Sequence, residues 1–124
     1  MKLPLSLVIV AACLSTMPAA HAEQDPMPLE GCATLGDGQQ IVRGSGNGKR
    51  IYVRDGEDHY QLTFRNGCSA AVLASKISIS TDGQANKLCS EATKVKADRQ
   101  TCRVSEVTRI SPEEFDRQKK RARH

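Results

Sequence analysis

Residues 49–64 read KRIYVRDGEDHYQLTF, two stretches of alternating apolar and polar side chains on either side of an Asp-Gly pair. Alternation with a period of two is typical of strands that bury one face. Asp-Gly between two such stretches predicts a β-hairpin. A four-residue loop sets Val53 opposite Tyr60, and a two-residue turn that begins at Asp55 preserves the same parity. Either turn therefore buries the same side chains.

Further strands are predicted on both sides of this hairpin. One is short and lies near residues 39–43, and another runs from Leu73 to Ser80, with Leu73 on the apolar face. Residues 101–110 are also strand-like, but their two apolar valines fall on opposite faces, which predicts a β-bulge near residues 105–106. The expected fold class is all-β: a small antiparallel sheet, or a five-stranded barrel, with two disulfides.

The chain ends in a predicted helix, residues 112–124. Ser111 is the expected N-cap, Pro112 occupies the first helical position and Glu114 the third, the arrangement of a capping box. Basic residues follow the acidic ones, as the helix dipole favours. Phe115 is the only sizeable apolar residue of this short helix, which is therefore expected to dock through one aromatic ring.

Residues 1–22 have the three parts of a secretory signal peptide. Lys2 supplies a positive charge, an apolar run follows, and residues 20–22 read Ala-His-Ala, a small-x-small cleavage motif. The apolar run is shorter than the ~20 residues that a membrane span requires. Cleavage after Ala22 predicts a periplasmic or secreted protein. A less favoured alternative is a lipoprotein anchored at Cys13, which follows a lipobox-like Val-Ala-Ala.

Removal of 22 of the 124 residues leaves 102, enough for one domain. Residues 23–31 contain two prolines and no periodicity, and are expected to form a flexible leader. Residues 32–111 then form the β domain, ahead of the basic helix and tail over residues 112–124. No tryptophan and only four other aromatic residues are present, so such a domain benefits from covalent cross-links.

The mature chain holds four cysteines, an even number that predicts two disulfides in an exported protein. Four cysteines allow three pairings, and the nested one is preferred here. No Cys-x-x-Cys pair occurs, which disfavours a zinc site and a thioredoxin-like redox site. No metal or cofactor is therefore predicted. The preferred pairing is Cys68 with Cys89 and Cys32 with Cys102.

Positive charge is concentrated at the C-terminus. Residues 117–124 carry five Lys or Arg and no acid, although the whole chain has a formal net charge of only +4. Such a tail suits contact with anionic lipid or lipopolysaccharide. Nucleic acid is not expected as a partner, because the protein is exported and no stacking aromatics accompany the charges. The candidate surface-contact residues are Arg117, Lys119, Lys120, Arg121 and Arg123.

Acidic residues at the predicted hairpin tip are followed by a histidine, His59. Asp55, Glu57 and Asp58 lie beside it in a loop that lacks calcium-loop spacing, and neighbouring strand residues point to opposite faces. His59 as a general base would need a nucleophile and an orienting group, and the sequence places neither beside it. No catalytic residue and no metal ligand is therefore assigned, and an enzyme is the less favoured class.

The order of motifs after Lys49 resembles a family of small exported proteins from Gram-negative bacteria, an uncharacterised domain of unknown function. The resemblance covers about residues 32–115 and implies an envelope location, a β-rich fold and no particular activity. An aspartate common three residues beyond the third cysteine is Ala92 here. The motifs are Arg50-Ile51-Tyr52-Val53, Tyr60-x-Leu62-x-Phe64, Gly67-Cys68, Leu88-Cys89-Ser90, Cys102-x-Val104 and Ile110-Ser111-Pro112-Glu113-Glu114-Phe115.

The leading functional hypothesis is a non-catalytic periplasmic binding or interaction module, whose partner could be an envelope protein. Small size, disulfides and the lack of a convergent polar constellation favour it. The second hypothesis is an envelope-surface protein that docks on anionic lipid through its basic tail. The third is an enzyme that uses His59 with the nearby acids.

Overall fold

The computed structural model describes residues 26–44 and 48–122. The predicted signal peptide, the lipobox at Cys13 and the tail residue Arg123 lie outside these ranges. The helices are α1 (Ser69–Leu73) and α2 (Pro112–Ala122). The strands are β1 (Met27–Pro28), β2 (Cys32–Thr34), β3 (Gln40–Arg43), β4 (Arg50–Asp55), β5 (Asp58–Phe64), β6 (Ile77–Thr81), β7 (Gln84–Ala85), β8 (Lys87–Cys89), β9 (Thr93–Ala97) and β10 (Gln100–Arg109).

The predicted all-β class with a C-terminal helix and two disulfides is confirmed. The main sheet is antiparallel, in the order β3-β4-β5-β10-β9-β6-β7, and β1 adds to the edge of β10. Strands β2 and β8 form a separate two-stranded ribbon. The main sheet curls into a half-barrel, so the open sheet, and not the closed five-stranded barrel, is the form that this chain adopts.

Strand β10 joins the two halves of the sheet. Its first residues, up to Arg103, pair with β9, and its last residues, from Val104, pair with β5. The register shifts between Val104 and Glu106, which places a bulge at Ser105 and confirms the bulge predicted there. An extra residue at this point bends the strand, so that one strand serves both halves of a curled sheet.

The hairpin of β4 and β5 has the predicted register. Val53 lies directly opposite Tyr60, and pairing continues to Asp55 and Asp58 at the tip, so the turn itself is two residues long. Gly56, the first turn residue, has a positive φ of 62°, which glycine adopts without steric cost. The alternating apolar side chains of this hairpin face the main core, which also takes in residues of α1 and of the β2–β8 ribbon.

The outer face of the hairpin is buried in part, contrary to the prediction that it is polar. Helix α2 packs on β3, β4 and β5, and it encloses a second, smaller core between itself and the sheet. Tyr52 and His59 lie under this helix and are almost fully buried. The second core consists of Val42, Tyr52, Ile110 and Phe115.

The start of α2 follows the predicted cap. The Oγ atom of Ser111 accepts a hydrogen bond of 3.1 Å from the backbone N–H of Glu114. The carboxylate of Glu114 accepts a hydrogen bond from Gln118 and pairs with Arg117. Among the described residues it accepts none from the Ser111 N–H, so only one half of the predicted capping box forms. Ser111 therefore satisfies one of the free N–H groups at the helix start, and Phe115 is the buried residue of the helix, as predicted.

Two predictions of local structure are wrong. Residues 23–31 are not a flexible leader throughout, because Met27 and Pro28 pair with the end of β10, and the N–H of Leu29 donates to Val107. Strand β9 ends its pairing with β10 at Arg103, which leaves that edge free for the leader. Leu73 belongs to α1 and not to a strand, and 86% of its side chain is exposed.

Both predicted disulfides form, but the preferred nested pairing is wrong. Cys32 bonds to Cys89, and Cys68 bonds to Cys102, so the two closed loops overlap in sequence. Cys32 and Cys89 are directly opposite partners of the β2–β8 ribbon, with 4.0 Å between their Cα atoms. The Cα atoms of Cys68, at the start of α1, and Cys102, in β10, are 5.9 Å apart. Pairing of β2 with β8, far apart in sequence, thus sets the partners of the first disulfide.

Candidate anion-binding cleft

A cleft of about 470 Å³ opens where the end of β5, the loop before β9 and the middle of β10 meet. Its basic residues are Arg65, directly after β5, Lys94 of β9 and Arg103 of β10. Val104 and Ser105 line it at the bulge of β10. We call it the basic cleft. Its lining residues are Arg65, Ser90, Glu91, Ala92, Thr93, Lys94, Arg103, Val104 and Ser105.

Sheet pairing brings the basic groups together. Lys94 and Arg103 are directly opposite partners in the β9–β10 ladder, and both are exposed on the outer face. Side chains in such a pair have Cβ atoms about 5 Å apart. Arg65 lies next to Arg103, because its backbone N–H donates a hydrogen bond of 3.0 Å to the carbonyl oxygen of Arg103. Three cationic side chains therefore border one cleft.

These cations form no salt bridge within the described part of the chain. Over residues 26–44 and 48–122, no carboxylate lies within salt-bridge distance of Arg65, Lys94 or Arg103. Glu91 is the one acid among the lining residues. Like charges directly opposite each other in a sheet destabilise it. An anion bound between Lys94 and Arg103 would offset that repulsion.

The walls of the basic cleft are held by disulfides. Ser90 directly follows Cys89, Arg103 directly follows Cys102, and Arg65 stands three residues before Cys68. The buried hydroxyl of Thr93 also joins the two ends of the loop between Cys89 and β9. The Oγ1 atom of Thr93 accepts from the N–H of Cys89 and donates to its carbonyl oxygen, both at 2.8 Å. Such bracing holds the binding groups in place before a ligand arrives.

A second cleft of about 610 Å³ lies between the start of β6 and the end of β9. Asp98 lines this cleft, and its side chain binds the backbone of the segment before β6. Its carboxylate accepts hydrogen bonds from the backbone N–H groups of Lys76 and Ser75, both at 3.3 Å, and from the Ser75 hydroxyl. These hydrogen bonds lower the pKa of Asp98, and those from the two backbone N–H groups have the largest effect. The lining residues are Ser75, Lys76, Ile77, Ser78, Lys96 and Asp98.

The predicted surface-contact residues lie elsewhere, on α2. Arg117, Lys120 and Arg121 are exposed and Lys119 is half-buried. Arg117 pairs with Glu114 at 2.7 Å. Because α2 packs on β3, β4 and β5, whereas the basic cleft is formed by β9, β10 and the end of β5, the structure does not bring these two groups of cations onto the same elements.

The hairpin tip is arranged for packing. His59 is only 9% exposed, its Nδ1 atom lies 3.0 Å from the Glu57 carbonyl oxygen, and its ring contacts Phe115. Asp55 accepts a hydrogen bond of 3.0 Å from the backbone N–H of Gly36. Among the residues that the structure describes, no group of three or more His, Cys, Asp or Glu could hold a metal ion. His59 and Asp55 thus have structural partners.

Sequence reasoning missed Arg65, Lys94 and Arg103. They come from three distant segments, and each alone reads as an ordinary outward-facing strand or loop residue. One signal was present: Thr-Lys-Val-Lys-Ala at residues 93–97 alternates with a period of two and sets Lys94 and Lys96 on one face of a strand. The convergence of the three cations required the pairing of β9 with β10.

No known protein-family profile matches the chain, and neither a curated protein nor a solved structure is significantly similar to it. The two disulfides indicate an oxidising compartment, such as the periplasm or the outside of the cell. Neither helix in the described ranges is long and apolar enough to cross a membrane.

Proposed function

We propose that this protein is a non-catalytic binding module of the periplasm or extracellular space, and that it binds anionic groups through the basic cleft. The observation that carries the proposal is the direct opposition of Lys94 and Arg103, with no described carboxylate within salt-bridge distance of either, in a cleft braced by two disulfides. A bound anion would stabilise the sheet, because it would offset the repulsion between these two side chains. The partner is an envelope component, protein or other, that presents negative charge.

Export of the chain is part of this proposal. The charged start, the apolar run and the cleavage motif within residues 1–22 support a signal peptide cut after Ala22. The oxidising compartment that the disulfides indicate agrees with it.

Site-specific photo-crosslinking in the bacterial envelope tests the binding site. A photoreactive amino acid at Glu91, which lines the basic cleft, is expected to yield a discrete adduct, and the same amino acid at exposed Asp37 is the matched control. Charge reversal of Lys94 and Arg103 to Glu should abolish the adduct from position 91. Equal labelling from both positions, or an adduct that survives charge reversal, would contradict the proposal.

A second candidate is docking on anionic lipid through α2, which exposes Arg117, Lys120 and Arg121. Phe115, the large apolar residue of the helix, is turned into the domain, so the contact would be electrostatic and not an insertion. The full mature protein should therefore sediment with vesicles that contain phosphatidylglycerol, but not with phosphatidylcholine alone, and salt should release it. Binding unaffected by salt or by Gln at all three positions would exclude this candidate.

A further inference from the structure

The basic cleft and the second cleft lie on one face of the sheet, next to each other along β9. Lys94 lines the first cleft and Lys96 lines the second. Both side chains point outward, because the residues between and beside them in β9 are buried. Residues two apart in a strand are separated by about 6.6 Å. The two clefts therefore form one extended surface and not two isolated pockets.

This surface, which we call the basic track, is rich in positive charge. Two acids, Glu91 and Asp98, border it, and the carboxylate of Asp98 is engaged by the backbone N–H groups of the segment before β6. Cations thus outnumber acids along the track by five to two. The cations of the basic track are Arg65, Lys76, Lys94, Lys96 and Arg103.

Hydroxyl groups flank the cations on both neighbouring strands. Ser80 and Ser78 of β6 are the direct partners of Lys94 and Lys96, and Thr101 of β10 lies opposite Lys96 on the other side. Among the described residues that line the two clefts, none is aromatic. The track consequently offers ionic contacts and hydrogen bonds, and it offers no stacking platform for nucleobases.

We propose that the basic track binds an acidic polysaccharide, a linear chain of sugars that carries carboxylates at regular intervals. The inference rests on the proposed function and extends it from one cleft to a ligand class. A single anion would need only the basic cleft, whereas a row of cations over two clefts fits a polymer with repeated charge. Sugar hydroxyls supply partners for the serine and threonine side chains, and such polymers occur outside the cytoplasm. Basic patches are among the surfaces through which proteins bind heparin-like glycans.

Calorimetric titration of the mature, disulfide-intact protein at low salt tests this inference. The probes are oligogalacturonates of two and eight sugars, with maltooctaose as the neutral control. We expect the octamer to bind at least tenfold more tightly than the dimer, and maltooctaose not to bind. Added salt should weaken binding of the octamer more steeply than binding of the dimer, because more ion pairs are screened.

Variants along the track separate its two parts. Lys96→Gln should weaken octamer binding severalfold and leave dimer binding unchanged, whereas Lys94→Gln should weaken both. Arg54→Gln, an exposed cation on β4, is the matched control and should change neither. Thermal unfolding of each variant checks that the fold is retained, since all three side chains are exposed.

Three outcomes would overturn the inference. Equal affinity for dimer and octamer, with Lys96→Gln silent, would confine binding to the basic cleft. Tighter binding of an eight-nucleotide oligo(dT) than of the octagalacturonate would favour nucleic acid as the ligand. Failure of both oligogalacturonates to bind would exclude this ligand class. The proposed function is decided separately, by crosslinking from position 91 in the envelope, so it survives any of the three.

Discussion

The ring of His59 meets the ring of Phe115 edge to face, with 5.1 Å between their centroids and 62° between their planes. His59 comes from the hairpin and Phe115 from α2, so this contact joins the helix to the outer face of the sheet. Edge-to-face aromatic pairs add to the gain from burial alone. The C-terminal helix is thereby part of the fold, and its basic side chains are presented from a fixed support.

Phe115→Ala should undock α2. Phe115 is completely buried, and truncation of a buried phenylalanine costs about 3–5 kcal/mol of unfolding free energy. Urea unfolding should show a loss of this size, and circular dichroism should show reduced helicity. Lys120→Ala, an exposed change on the same helix, serves as the control and should cost little. Equal losses in the two variants would mean that the ring does not anchor the helix.

The overlapping disulfide pairing can be read from tryptic peptides of the denatured, unreduced protein. Trypsin separates all four cysteines, so each disulfide should appear as a distinct pair of linked peptides. We expect peptide 66–76 linked to peptide 100–103, and peptide 88–94 linked to the N-terminal peptide that ends at Arg43. Mass spectrometry before and after reduction checks this. A link between peptides 66–76 and 88–94 would instead indicate the nested pairing.

Gly48→Ala should destabilise the protein more than Gly56→Ala does. Both glycines have positive φ, 66° and 62°, so each substitution carries the backbone strain of that region, roughly 1 kcal/mol. A Cβ at Gly48 would also lie 2.8 Å from the carbonyl carbon of Cys68, whereas one at Gly56 has nothing within 4 Å. The difference between the two denaturation midpoints measures the clash. Equal losses of stability in the two variants would show that the backbone around Cys68 can shift to accommodate the added Cβ.

Asp98 should make stability depend on pH in the acidic range. Hydrogen bonds from the backbone of Lys76 and Ser75 lower its pKa in the folded protein below the ordinary value of 3.8. Its ionised form therefore stabilises the fold above about pH 4, and this contribution is lost as pH falls through the lowered pKa. Asp98→Asn should lower Tm at pH 7, and its difference from the wild type should shrink toward pH 2.

Differential scanning calorimetry across this range provides the measurement for Asp98. Asp37→Asn, an exposed position on another loop, is the matched control and should show no comparable difference at pH 7. A constant difference between Asp98→Asn and the wild type down to pH 2 would mean that ionisation of this carboxylate does not stabilise the segment before β6.

Local features of the fold could be predicted from the sequence because neighbouring residues determine them. Alternation predicts which side chains of the hairpin are buried, and the loop predicted over residues 55–58 sets Val53 opposite Tyr60, as observed. The bulge at Ser105 follows from a change of parity within one strand, and the cap at Ser111 from four consecutive residues. Each of these signals lies within a few residues of the structure that it specifies.

The remaining features depend on which segments meet in space. The outer face of the hairpin reads as polar until α2 covers Tyr52 and His59. The Cys32–Cys89 bond follows from pairing between β2 and β8, which have weak strand signals of their own. The basic cleft depends on the contact of β9 with β10, since its cations are separated in sequence. Long-range pairing of this kind leaves little trace in a local pattern.

Overlap of the two disulfide loops has a consequence for resistance to proteolysis. If the chain were cut once between residues 32 and 68 and once between residues 89 and 102, the three fragments would still form one covalent molecule. The nested pairing would release the middle fragment after the same two cuts. The fragments of a protein cleaved at these two points thus stay covalently linked. The basic cleft can therefore keep its shape after the backbone has been cut.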